Sequence, residues 1–268
     1  MSIPIIDPHM HMVSRSSNDY ERARLAGIEC CIEPAFWSGT DKQHAESFFD
    51  YFEQIIDFET RRADRTAGMD HYVTIALEPK EANYPEMAER VMDRIPEYLD
   101  RENVVGVGEI GLDQGTPEEE AAFRRQLRMA EERELPVIVH TPHTQKPEGT
   151  ERLVEMIQEE DVTEERIVID HNTENTIDVS LRTDCWVGFT LYPGKITDEK
   201  AIDLLEEYGT EKMLLNSAAD WDPSDPLAVP KARDEMLDRG WDRGAVREVV
   251  FENPHEFFSQ SPNFEFES

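Results

Sequence analysis

The chain has 268 residues and a formal net charge of -32, from 59 acidic and 27 basic side chains. That length suffices for one large α/β barrel or two small domains. No stretch approaches the apolar length of a membrane span, and no basic segment is available to track a nucleic-acid backbone.

The acidic residues are spread through amphipathic stretches such as "TPEEEAAFRR" and "EDVTEER", so they read as a solvated surface and not as a disordered tail. Such a surface repels itself at low ionic strength, whereas at roughly molar salt the Debye length falls to about 3 Å. The expectation is a cytoplasmic protein adapted to high salt. The start, "MSIPIIDPHMHM", has neither a basic n-region nor a cleavage-type run of small residues and does not read as a signal peptide. Cys30, Cys31 and Cys185 are odd in number and lie in apolar runs, as buried thiols of a reducing compartment do.

Taken in chain order, the first apolar run is "PIIDPH" (4–9), which ends in His9, with His11 one residue beyond. An extended chain points both imidazoles to one side, a geometry suited to a shared metal ion. Arg15, on the loop that follows, offers a planar fork for a phosphate, and Asn18 reads as a helix cap. The second run is "ECCIEPAF" (29–36), followed by a helical pattern over 43–62 that His44 opens. Next come "HYVTIAL" (71–77), with His71 at its N-terminal end, a helix over 84–100, and "VVGVGEIGL" (104–112), which carries Glu109. Thr116 and Pro117 mark the start of a helix over 117–134. The run "PVIVHTP" (136–142) ends in His140, with His143 on the loop, before a helix over 149–160. Then "RIVIDH" (166–171) ends in His171, and "CWVGFTL" (185–191) leads to a helix over 197–209. Last is "KMLLNSA" (212–218), beyond which Asp220 is preferred to Asp222 as the acidic residue nearer the strand end.

Eight short apolar runs, most followed by a helix, predict a single-domain (β/α)8 TIM barrel over 1–268, with a doubly wound open sheet as the alternative. Barrel active sites lie at the C-terminal strand ends. His9, His11, Glu109, His140, His171 and Asp220 all fall there. They can serve two divalent metal ions: His9, His11 and Asp220 on one, His140 and His171 on the other, Glu109 bridging. Four neutral imidazoles, two carboxylates, two dications and a bridging hydroxide sum to a charge of about +1, which attracts an anionic ester. The nitrogen and oxygen donors permit Zn, Mn, Co, Fe or Mg and select none. Trp37 and Trp221 lie near the rim, where they can stack on a base or simply pack.

The order "DPHMH", "GEIGLD", "VIVH", "DH" and a late Asp resembles the TatD-type metal-dependent hydrolases of the amidohydrolase superfamily. The resemblance runs from Asp7 to the closing "ENPHEFF" (252–258), and its most specific piece is "GEIGLD" followed by "FRRQLRMAEERELPVIVH". It implies a closed barrel, two metals, and phosphodiesterase or deoxyribonuclease chemistry, with the metal positions at His9, His11, Glu109, His140, His171 and Asp220. Glu109, standing where related barrels use a modified lysine, favours the TatD-like branch. The chain departs from the family at "LLNSAADWD", where that family has an "ETD"-like strand end, and at "DHNTEN", where it has "FSG". It therefore resembles an outlying, archaeal-type subgroup. The expected reaction is phosphodiester cleavage by a metal-activated hydroxide, with Asp220 as general base and Arg15 and His143 as substrate contacts, DNA being one candidate substrate. A small ester, lactone or cyclic amide is the alternative substrate class, and a non-catalytic metal- or nucleotide-binding barrel the alternative function.

Overall fold

The computed structural model describes residues 2–267. Eight parallel strands pair in chain order: β1 (Ile5–Asp7), β2 (Ile28–Pro34), β3 (Asp70–Ile75), β4 (Val104–Gly111), β5 (Val137–His140), β6 (Ile167–Ile169), β7 (Trp186–Thr190) and β8 (Met213–Asn216). They form the nearly closed barrel of a single (β/α)8 domain, as expected. The runs are continuous and not alternating because both faces of each strand are covered. All eight residues of β4 are buried, for example, and valine and isoleucine dominate β4 to β6. At the seam the Ala218 amide donates to the His9 carbonyl at 2.7 Å, and the His11 amide to the Ala219 carbonyl at 2.9 Å. The seam thus runs through the backbone of the first histidine pair itself. No helix among the described residues is long and apolar enough to cross a membrane.

The helices refine the sequence expectations. The pattern expected over 43–62 is one continuous helical body, Ala45–Glu53 and Thr60–Ala67 joined by a π-turn over Gln54–Glu59, and it stops at Gly68 in the left-handed conformation (φ 57°). Asn18 is not a cap. Ser16 takes that position, and the Asp19 carboxylate accepts from its amide and hydroxyl at 3.1 and 2.8 Å. Thr116 caps Pro117–Glu131 as expected, accepting from the Glu119 amide at 3.2 Å. The helix expected from 149 begins at Lys146, because Pro147 sits in a first turn where its missing N–H costs nothing. In the closing "ENPHEFF", Asn253 donates to the carbonyls of Thr210 (2.7 Å) and Met213 (2.8 Å), which ties the last helix beneath β8.

Candidate metal centre

The C-terminal strand ends converge on Glu109. Its Oε1 lies 3.5 Å from Nε2 of both His9 and His11, and its Oε2 lies 3.2 Å from His140 Nδ1 and 3.1 Å from His171 Nε2. Around it the imidazoles face one another in pairs, His9 Nε2 with His11 Nε2 at 3.0 Å and His171 Nε2 with His140 Nδ1 at 3.0 Å. Three groups of buried donors have ligand atoms within 4.8 Å of one another: His9, His11, Glu109; Glu109, His140, His171; and His9, Asp170, His171. The first two share one carboxylate, the arrangement of a bridged pair of sites.

Each donor is held from behind. His9 Nδ1 meets Asp170 Oδ2 at 2.7 Å, which fixes the ring so that Nε2 faces the centre. Asp170 also accepts from Asn216 Nδ2 (2.8 Å), Thr190 Oγ1 (3.2 Å) and the His171 amide (2.8 Å). Glycine at position 188 makes room for it, since a Cβ there would stand 2.2 Å from Asp170 Oδ1. His11 stacks on Phe36 with ring centres 3.7 Å apart, and its Nδ1 faces the Pro34 carbonyl. His171 adopts a left-handed backbone (φ 61°), a conformation that costs a non-glycine residue on the order of 1 kcal/mol or more. Its Nδ1 contacts Thr190 Oγ1 at 2.6 Å.

The protonation states follow from burial and these partners. Burial drives His11 down to about 3 and lowers His140 and His171 as well, so these imidazoles are neutral donors. Burial also opposes charge on His9, but Glu109 and Asp170 outweigh it and push the imidazole up to about 9. Burial would raise both carboxyls, yet the facing histidines hold Glu109 and Asp170 well below the usual carboxylate range. Two anionic carboxylates with three neutral imidazoles and His9, whose proton a bound cation would displace, form the donor set that divalent ions such as zinc or manganese take. Lys195 Nζ lies 3.2 and 3.3 Å from the two nitrogens of His171, so a metal ion on that ring requires Lys195 to swing away.

Five of the six expected ligands are thus brought together, and the sixth stands apart. Asp220 belongs to none of the three donor groups. Its carboxylate accepts from Tyr192 OH (2.9 and 3.2 Å), Ser224 Oγ (3.2 Å) and the Asp222 amide (2.9 Å). The cause is the path of the chain after β8: Ala218, at φ 41°, faces the cleft, and Asp220 follows only on the rim. Asp170 is a functional residue that the sequence alone leaves unmarked, although it stands beside His171 in "IDH", from which its carboxylate reaches His9 across the barrel mouth.

A cleft of about 220 Å³ opens above the donors, lined by Glu78, Lys80, His143, Tyr192, Lys195 and Asp220, with Phe36, Trp37 and Trp221 as an aromatic wall. His143 therefore lies where a substrate contact was expected, its ring 5.1 Å from that of His140. Arg15 is not among the lining residues; its guanidinium donates to the Asp220 carbonyl at 2.7 Å and supports the rim from outside. His44 is exposed at a helix start, and His255 packs on Phe251 and Phe266.

The family model for TatD-related DNases matches residues 6–259. The chain belongs to the TatD-related family. Over 255 residues it is 31% identical to an uncharacterized metal-dependent hydrolase of Methanocaldococcus jannaschii, covering 95% of this chain and 99% of that protein. A TatD-like protein from Archaeoglobus fulgidus superposes with a TM-score of 0.79 at 25% identity, covering 95% of this chain and 99% of the other. The fold alone is shared with the phosphotriesterase homology protein of Escherichia coli, solved with phosphate in its active site (TM-score 0.68, 16% identity, coverage 96% and 99%). As a TatD-type metal-dependent hydrolase, the chain presents buried His, Glu and Asp clusters able to bind metal at the expected end of its barrel.

Proposed function

We propose that this TatD-type hydrolase cleaves phosphodiester bonds, with two divalent cations held by His9 and His11 on one side and by His140 and His171 on the other. The observation that carries the reading is the placement of Glu109, one oxygen toward each histidine pair. Cations at those donors would acidify a water molecule and polarise the ester oxygen. The remaining tasks fall to the protein's own groups. Asp170 orients His9. Asp220, aligned by Tyr192 and Ser224, takes the proton of the attacking water. Lys80 and Lys195, two of only seven lysines in the chain, line the cleft and supply the positive charge that a phosphoryl oxygen needs.

A cleft of about 220 Å³ suits a scissile phosphate and one flanking group, being smaller than the roughly 300–1,000 Å³ of ordinary ligand pockets. The net charge of -32 leaves little phosphate attraction outside it. A short phosphodiester or a strand terminus is therefore the favoured substrate over the interior of duplex DNA. The test is turnover by metal-reconstituted protein, at low and at molar salt, of bis(4-nitrophenyl) phosphate, a dinucleoside phosphate, linear duplex DNA and a lactone. The expected order is the small diesters first, with activity maintained or raised in salt, in keeping with a high-salt cytosol as the working environment. Turnover of the lactone alone would transfer the protein to the alternative substrate class, and turnover of none would leave a metal-binding barrel.

A further inference from the structure

Glu78 follows β3 at the same rim and is 7% exposed, with that exposure on the cleft. Its Oε2 accepts from the Lys80 amide at 2.9 Å, which caps the short helix Pro79–Ala82. Its Oε1 takes no hydrogen bond from any described residue. The other carboxyls of the cleft are differently placed: Glu109 is shared among four histidines, Asp220 is engaged by Tyr192 and Ser224, and Asp222 is exposed. Glu78 is thus the one buried carboxyl with a free oxygen turned to where a substrate would lie.

We propose that Glu78 is the general acid of the reaction, giving its proton to the leaving-group oxygen. This rests on the hydrolase reading above. The Glu78 O–H bond breaks as the bond from phosphorus to the leaving oxygen breaks, and the departing group leaves as a neutral alcohol. The water oxygen forms the new bond to phosphorus and its proton passes to Asp220. Glu78, left as a carboxylate, regains a proton from solvent, and Asp220 releases to solvent the proton it took. One water is consumed and nothing is oxidised or reduced.

The surroundings favour the acid form at rest. Burial is the chief cause and raises the carboxyl to about 8; Glu109 from β4 and Glu81 on its own turn act in the same direction, while Lys80 and its amide oppose them. His143 and Lys195 face the same cleft. Keeping one carboxyl protonated by burial while another accepts a proton is the division of labour by which two acidic residues serve as acid and base at one pH.

Glu78→Gln keeps an oxygen for the Lys80 amide and removes the proton, so capping and acid catalysis separate. The discriminating variable is the leaving group. A nitrophenolate departs without help, whereas the alkoxide of a dinucleoside phosphate does not. On metal-reconstituted protein, E78Q is expected to lose about 100-fold or more in kcat on the dinucleoside phosphate, and to stay within about 3-fold on bis(4-nitrophenyl) phosphate. Metal content and thermal transition should be unchanged. An equal loss on both esters, or no loss on the dinucleotide, overturns the assignment. If wild-type protein turns over neither phosphodiester, the phosphodiester reading fails on its own. The acid is then judged on an aryl against an alkyl carboxylic ester, and on the infrared carbonyl band of a protonated carboxyl at pH 7. Wild type should show that band and E78Q lack it; its absence from wild type overturns the proposal.

Discussion

His71 and His171 are both buried imidazoles beside a glutamate, but their nitrogens meet different atoms. His71 Nε2 pairs with Glu33 Oε2 at 2.8 Å and its Nδ1 with Thr60 Oγ1 at 3.1 Å. Around that pair the Val13 amide satisfies the other Glu33 oxygen (2.7 Å), and Tyr20 and Arg62 satisfy Glu59 (3.1 and 2.6 Å). Both nitrogens of His71 and both oxygens of Glu33 are thus paired, so the network is closed around that pair, and the one buried donor left over there, among the described residues, is Arg62 Nε. His171 Nε2 instead faces the Glu109 carboxylate and a second imidazole nitrogen, His140 Nδ1, at 3.0 Å, and the His9–His11 contact repeats that pattern. A neutral imidazole has one N–H and one lone pair. Three such rings, His11, His140 and His171, crowd with His9 on one carboxylate and bring lone pairs face to face with one another. Burial and residue type are common to the two clusters; convergence of lone pairs on one point is what marks a cation site.

The comparison is broken most severely at Glu109. Glu109→Gln removes the charge shared by both histidine pairs, and kcat should fall by about 10³-fold, equivalent to about 4 kcal/mol of barrier. Bound metal, measured by atomic emission, should fall with it, while the fold persists by circular dichroism. Full activity in this variant would remove Glu109 from the centre. In the closed network the loss should appear as stability instead. His71→Ala strands Glu33 in the interior, and chemical denaturation should show a loss on the order of 3 kcal/mol. The metal content of the folded fraction should match wild type, and a metal-poor but fully stable H71A protein would show the two clusters to be misassigned. The smallest effect is expected at Asp170, which touches His9 from behind. Asp170→Asn should weaken metal affinity about 10- to 100-fold, read by chelator competition, and excess metal should restore activity. A variant with wild-type metal affinity would reduce Asp170 to packing.

Much of this centre was readable along the chain. His9, His11, Glu109, His140 and His171 each sit at or just past the C-terminal end of an apolar run, and a barrel brings those ends together wherever its loops go. The run alternation itself reflects local chemistry, since a strand covered on both faces must be apolar throughout. What the chain did not disclose are side chains whose role depends on a path outside the strands. Asp220 follows a left-handed turn at Ala218 and lands on Tyr192, from the loop after a different strand. Asp170 acts on His9 because β1 and β6 meet across the barrel mouth, 161 residues apart in sequence. Glu78 reads locally as an ordinary helix cap, and only the packed rim shows its second oxygen turned to the cleft. The sequence by itself determined the eight-stranded scaffold and the donors it carries, because hydrophobic periodicity and strand-end position are local properties. The tertiary structure decided which carboxylate serves which histidine, because that depends on atoms that meet only after the barrel has closed.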